Sequence, residues 1–170
     1  MINKSKMEQE RRNDITHFMG LFLDPETTLH MTVVYRERSS AVDEIILIDK
    51  LRDLGYHLGK PVELGEKVML GQNKDIPAYK VILPENMKEM VLFNKETYEQ
   101  SWDDEGNPIV YDEVILHITV NSPEKEKELE AFKDSAGRVS FKSIRLYKQK
   151  PTFPEGKKVV IARIDQYDDF

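Results

Sequence analysis

Leu29-His30-Met31-Thr32-Val33 and Leu116-His117-Ile118-Thr119-Val120 spell one pentad twice, Leu-His-apolar-Thr-Val, 87 residues apart. Four histidines and seven threonines in 170 residues would give roughly 0.16 His-x-Thr by chance, so two matched copies carry information. The apolar and β-branched residues around each copy suit a strand. Side chains alternate along a strand, so His30 and Thr32 share one face while Leu29, Met31 and Val33 take the other. The same parity sets His117 with Thr119, opposite Leu116, Ile118 and Val120. Each strand thus turns an apolar back to the core and shows an imidazole beside a hydroxyl on its front.

Working outward, Ile15–Asp24 reads as a buried strand, and Asp24-Pro25-Glu26 turns the chain into a second strand, Thr27–Tyr35. Ser40 can cap a helix with Asp43 and Glu44 in its first turn. Val42, Ile45, Ile48, Leu51 and Leu54 are expected to be its buried stripe, and Gly55 its stop. Residues 61–70 and 78–83 read as strands around the turn at 71–75. VLFNKETYEQ (91–100) suits helix or strand equally, and residues 102–108 form a loop. After the strand Ile109–Asn121, Ser122-Pro123-Glu124 starts a helix expected to run to about Ala136, with Gly137 ending it. Residues 138–148 and 157–164 are two further strands. Each half therefore reads as a His-bearing strand, a Ser-started helix and two strands. No Gly-, Ser- or Pro-rich linker separates them, so residues 1–170 are expected to be one domain of two pseudo-repeated lobes.

Composition bounds the chemistry. The chain has no cysteine, which excludes disulfide scaffolds, thiolate metal sites and thiol nucleophiles. No apolar run is long enough for a transmembrane helix, and residues 1–14 lack the hydrophobic stretch of a secretory signal, so the expected location is cytoplasmic with no membrane partner. The net charge of −6, from 25 bases and 31 scattered acids, disfavours a long polyanion such as extended nucleic acid as partner. A small phosphate ligand in a local pocket remains compatible with it.

Two imidazoles and two hydroxyls suit phosphodiester chemistry without a metal or other cofactor. One neutral His takes a proton from the attacking hydroxyl, and the other, protonated, gives one to the leaving oxygen. An unperturbed imidazole pKa of about 6.5 makes both forms accessible near neutrality. The Thr hydroxyls can donate to the non-bridging phosphate oxygens. The plain alternative, two hydrogen-bonded core histidines, explains one such residue better than two matched pentads.

Two His-x-Thr strands 80–90 residues apart in a small two-lobed chain resemble the 2H phosphoesterase superfamily. The resemblance implies an α+β, bilobal, pseudo-twofold fold with antiparallel sheets around a central groove, and a metal-independent phosphodiesterase. It implies His30 and His117 as the catalytic pair and Thr32 and Thr119 as phosphate ligands. Small size, acidity and the Tyr35-Arg36 that follows the first motif look most like the phage-encoded anti-CBASS nucleases, which cleave cyclic di- and trinucleotide messengers. Two alternatives stand beside that substrate: the 2′,3′-cyclic phosphate of an RNA end, and non-catalytic sequestration of a cyclic nucleotide.

Other residues are candidates for substrate binding. Arg36 and Arg38 continue the His30 parity and, on a regular strand, would reach the groove mouth and a second phosphate. Tyr111 and Asn121 share parity with His117. Trp102 could stack on a purine. His17 and His57 read as structural or surface residues, and the run Glu124–Glu128 as a solvated helix face.

Overall fold

The computed structural model describes residues 15–71, 73–87, 115–150 and 157–166. Apolar, β-branched and aromatic runs there form β1 (Thr16–Phe22), β2 (His30–Arg36), β3 (Pro61–Leu70), β4 (Ile76–Ile82), β5 (His117–Thr119), β6 (Val139–Ser140), β7 (Ser143–Gln149) and β8 (Lys158–Asp165). Among the described residues two α-helices accompany them, α1 (Ala41–Gly55) and α2 (Pro123–Phe132). The strands pair antiparallel in the order β6-β3-β4-β5-β2-β1-β7-β8, an α+β architecture. The two halves of the chain interleave in this sheet. β5 pairs with β4 from the first half, and β1 pairs with β7 from the second. This brings the two His-bearing strands together at the centre.

The back of the sheet is the core. Met19, Leu21, Met31, Val33, Ile118, Ile144 and Leu146 have no exposed surface. α1 covers β7 and β8 with Leu47, Leu51 and Leu54, each burial worth roughly 1.5–3 kcal/mol. Its start is the expected one: Ser40 Oγ accepts from Asp43 N, and the Asp43 carboxylate accepts from Ser40 N, a capping box.

Three local expectations are corrected. The α1 stripe is Leu47-Leu51-Leu54 with Ile48 beside it, whereas Val42 and Ile45 are 65% and 64% exposed. At 3.6 residues per turn, steps of exactly three drift around the helix and cannot stay on one face. Gly55 lies within the last turn; the left-handed residue is Gly59, where φ is +84° and a Cβ would meet the Gln166 side chain at 2.1 Å. α2 ends at Phe132 rather than near Ala136. There the Asp134 carboxylate accepts from Ala136 N and Arg138 N, a local turn that competes with the helix. Residues 91–114, which include the expected loop at 102–108 and the first part of the Ile109–Asn121 strand, lie outside the described residues.

A bulge shapes β2. Met19 faces Val34 and Gly20 faces Thr32, so Val33 is the extra residue and the facing parity reverses beyond it.

Candidate active site

Met31 on β2 pairs directly with Ile118 on β5. In an antiparallel pair that register sets His30 opposite Thr119 and Thr32 opposite His117. Because Met31 and Ile118 point into the core, all four polar residues stand on the other face, side by side across one strand pair. Neighbours across such a pair lie about 5 Å apart, and diagonal ones about 7–8 Å. The two pentads are thus related by a local twofold through the Met31–Ile118 pair.

The two imidazoles are held identically. His30 Nδ1 lies 2.8 Å from the Thr28 carbonyl, and His117 Nδ1 lies 2.7 Å from the Ile115 carbonyl, each two residues upstream. A carbonyl only accepts, so Nδ1 of each ring donates, and Nε2 is left to exchange a proton. One imidazole can therefore accept a proton at Nε2 while the other, charged, donates from the same atom. His30 is further packed among rings of β1, stacked on Phe22 at 4.9 Å and edge-on to Phe18 at 5.4 Å. Between them Gly20 leaves the room: a Cβ there would meet Phe18 and Phe22 at 3.2 Å and His30 at 3.4 Å. Burial holds the His30 pKa below the usual imidazole value, and the charges of Lys125, Lys158 and His117 push the same way against the Thr28 hydrogen bond.

The loop leading into His30 is wired at both ends. The Asp24 carboxylate accepts from Glu26 N and Thr27 N. The buried Thr27 hydroxyl accepts from Leu29 N and donates to Glu128 on α2, the helix that follows the His117 strand. At the other end, Arg145 and Arg163 both donate to the Pro25 carbonyl, at 2.5 and 2.9 Å. Glu126, also on α2, pairs with Lys67 on β3. The charged run 124–128 is therefore partly a tertiary contact, not only a solvated face.

The chain is similar to solved structures of E. coli LigT. Its complex with NADP+ matches at 14% identity and a TM-score of 0.48, over 89% of this chain and 97% of that one. The 3′-AMP complex matches at 12% and 0.42, over 91% and 99%, and the apo form at 13% and 0.39, over 90% and 98%. No family model and no curated protein matches the chain.

The secondary candidates fare differently. Arg36 turns to the back of the sheet, because the bulge at Val33 reverses its parity, and it pairs with Asp43 of α1 at 3.2 Å. Its place on the His30 face of the sheet goes to Tyr35, which lies opposite Phe18. Arg38 is exposed with φ +51°, beyond the end of β2. Asn121 is exposed at the joint between β5 and α2, outside the paired strand. Trp102 and Tyr111 lie outside the described residues. His17 and His57 are both buried. His17 hydrogen-bonds Ser39 at 2.6 Å and Glu44 at 3.1 Å, on the side of the sheet away from His30. Among the described residues no group of three or more His, Asp or Glu is arranged to hold a metal ion, and no helix is long and apolar enough to cross a membrane.

Sequence reasoning missed Phe18, Phe22 and Arg145. The signal for the two rings is the alternation Phe18-x-Gly20-x-Phe22, two rings flanking a glycine on one strand face, whereas Arg145 has no such local mark.

Proposed function

We propose that the chain is a metal-independent phosphodiesterase of the 2H phosphoesterase type that opens a 3′–5′ bond of a small cyclic oligonucleotide, as an anti-CBASS nuclease does. One observation carries this reading: two imidazoles, each locked by an Nδ1 bond to a carbonyl, stand with two threonines on one face of the β2–β5 pair. His30, kept neutral by burial and by the lysine charges around it, accepts the proton of the neighbouring 2′-OH at Nε2. The 2′-oxygen forms its bond to phosphorus as the bond to the 5′-oxygen breaks, and His117 delivers a proton to that leaving oxygen. Thr32 and Thr119 donate to the non-bridging oxygens, where charge develops. The product ends in a 2′,3′-cyclic phosphate, which water opens with the two imidazoles exchanging roles. The acidic chain, at −6, favours a small ligand over a long RNA.

The test is a panel of cyclic dinucleotides, cyclic trinucleotides and an oligonucleotide ending in a 2′,3′-cyclic phosphate, each incubated with protein and EDTA. Linear products from the cyclic ligands support the proposal. Turnover of the RNA end alone assigns the chain to RNA-end hydrolysis. Tight binding with release of intact ligand on denaturation makes it a sequestering protein.

A further inference from the structure

The local twofold through Met31 and Ile118 reaches one strand further on each side. β1 lies beside β2 as β4 lies beside β5, with Leu23 N donating to Leu29 O at 3.2 Å and Val81 N to Leu116 O at 2.9 Å. Leu29 and Leu116 open the two pentads, so these bonds are equivalent. Each makes the next pair, Phe22 with His30 and Lys80 with His117, a non-hydrogen-bonded one, in which facing side chains stand closer. Gly20 faces Thr32 and Ala78 faces Thr119, a small residue in both places. The two rows thus match beside the threonines and differ beside the histidines. His30 has a phenyl ring stacked on it, and His117 has a lysine as its neighbour on the same face.

A bulge in β3 shapes the surroundings of Lys80. Leu64 faces Val81 and Lys67 faces Tyr79, so Gly65 and Glu66 both stand opposite Lys80. A Cβ on Gly65 would lie 3.2 Å from Lys80 Cβ, and its absence leaves that side chain room. The Glu66 carboxylate meets the Lys80 ammonium at 3.4 Å, the two side chains being 74% and 36% exposed. An ion pair so open to water is weak and yields readily to a better acceptor. Beside His30 the matching place is filled by Phe22, and the cations of that end stand elsewhere. Arg145 is buried against the Phe22 ring and donates to the Asp24 and Pro25 carbonyls. Lys125 and Lys158 belong to α2 and β8, outside the row.

We propose that Lys80 is a further substrate-binding residue of this centre, its ammonium leaving Glu66 to donate to a non-bridging oxygen of the phosphate held between the imidazoles. Adjacent strands lie about 4.8 Å apart, a span that the four-carbon stem of a lysine crosses. The bond is charge-assisted, and it strengthens as negative charge grows on those oxygens during attack at phosphorus. The centre is then symmetric in its imidazoles and hydroxyls but not in its charge, which is supplied beside His117. This rests on reading the four-residue cluster as a phosphodiesterase centre.

The experiment titrates inorganic phosphate into the protein at about 0.15 M salt, followed by the ring-proton NMR signals of His30 and His117. Lys80→Met is expected to raise the dissociation constant about tenfold while melting near the parent. Lys80→Arg keeps the charge and is expected to stay within about threefold of the parent. Glu66→Gln frees the ammonium and is expected to tighten phosphate about threefold, a gain that damage to the fold would not produce. Lys50→Met removes a like charge from the exposed side of α1, behind the other face of the sheet, and leaves the constant where it was. Parental affinity in Lys80→Met, no tightening in Glu66→Gln, or no phosphate binding by the unaltered protein overturns the proposal. The catalytic reading is judged separately by turnover. Phosphate bound in the expected pattern without cleavage of any cyclic ligand sinks the phosphodiesterase and leaves the Lys80 contact standing. Cleavage by the parent, with Lys80→Met binding phosphate as the parent does, sinks the contact and leaves the phosphodiesterase.

Discussion

Met31 lies directly opposite Ile118 on the neighbouring strand, and neither has any exposed surface. This apolar pair sets the register on which the polar face depends, since a slip of one residue would turn the slipped strand's histidine into the core. Ile118→Ala removes methyl groups at a fully buried site and is expected to cost roughly 2–5 kcal/mol. Urea unfolding checks it: the midpoint falls with little change in slope. A midpoint within error of the parent contradicts the packing described.

Gly20 is the second point of fit. The added methyl of Gly20→Ala must push against Phe18 and Phe22, each at 3.2 Å, the two rings that pack on His30. Small displacements of a proton-transfer group are costly, so kcat is expected to fall tenfold or more. Melting and steady-state kinetics measured together separate this from unfolding.

How much of this was legible beforehand depends on how local each cause is. The alternation of His30 with Thr32, and of His117 with Thr119, is a property of any strand, and the Ser40 cap is a contact within four residues. The fate of Arg36 was not legible, because it hangs on a bulge at Val33 that no turn residue announces. The roles of Glu126 and Glu128 were hidden for another reason. Their partners, Lys67 and Thr27, are remote in sequence, and a charged helix face looks the same whether it meets water or a neighbour. The α1 stripe is Leu47-Leu51-Leu54 because 3.6 residues per turn carry steps of exactly three off one face.

The Thr27–Glu128 bond ties the loop before His30 to the helix after His117. Thr27→Val strands Leu29 N and the Glu128 carboxylate, at a cost of about 1–3 kcal/mol. It is expected to lower kcat about tenfold with a smaller change in KM. Glu128→Gln keeps an acceptor for the hydroxyl and retains most of the activity, whereas Glu128→Ala behaves like Thr27→Val. Equal activity in all three variants contradicts a positioning role.

The pH dependence has a definite sign. Burial, and then the lysine charges, hold His30 below 6.5, so the neutral base persists into mild acid. The acid limb of kcat/KM is expected with its midpoint below 6.5, and Lys125→Ala should move it upward by removing a repelling charge. His17 is also lowered, by burial ahead of its Glu44 contacts. A histidine depressed in the folded state binds fewer protons than in the unfolded chain. Its contribution is therefore full above the unfolded value of about 6.5 and declines as pH drops below it. His17→Gln should flatten the fall in melting temperature between about pH 6.5 and 5.

Rates of 3′,3′-cGAMP cleavage in EDTA by the parent protein, His30→Ala and His117→Ala bear most directly on the pairing of the two imidazoles. Both single variants are expected to lose at least about a thousandfold in kcat while melting near the parent. Near-parental turnover by either one would show that the two rings do not share a reaction.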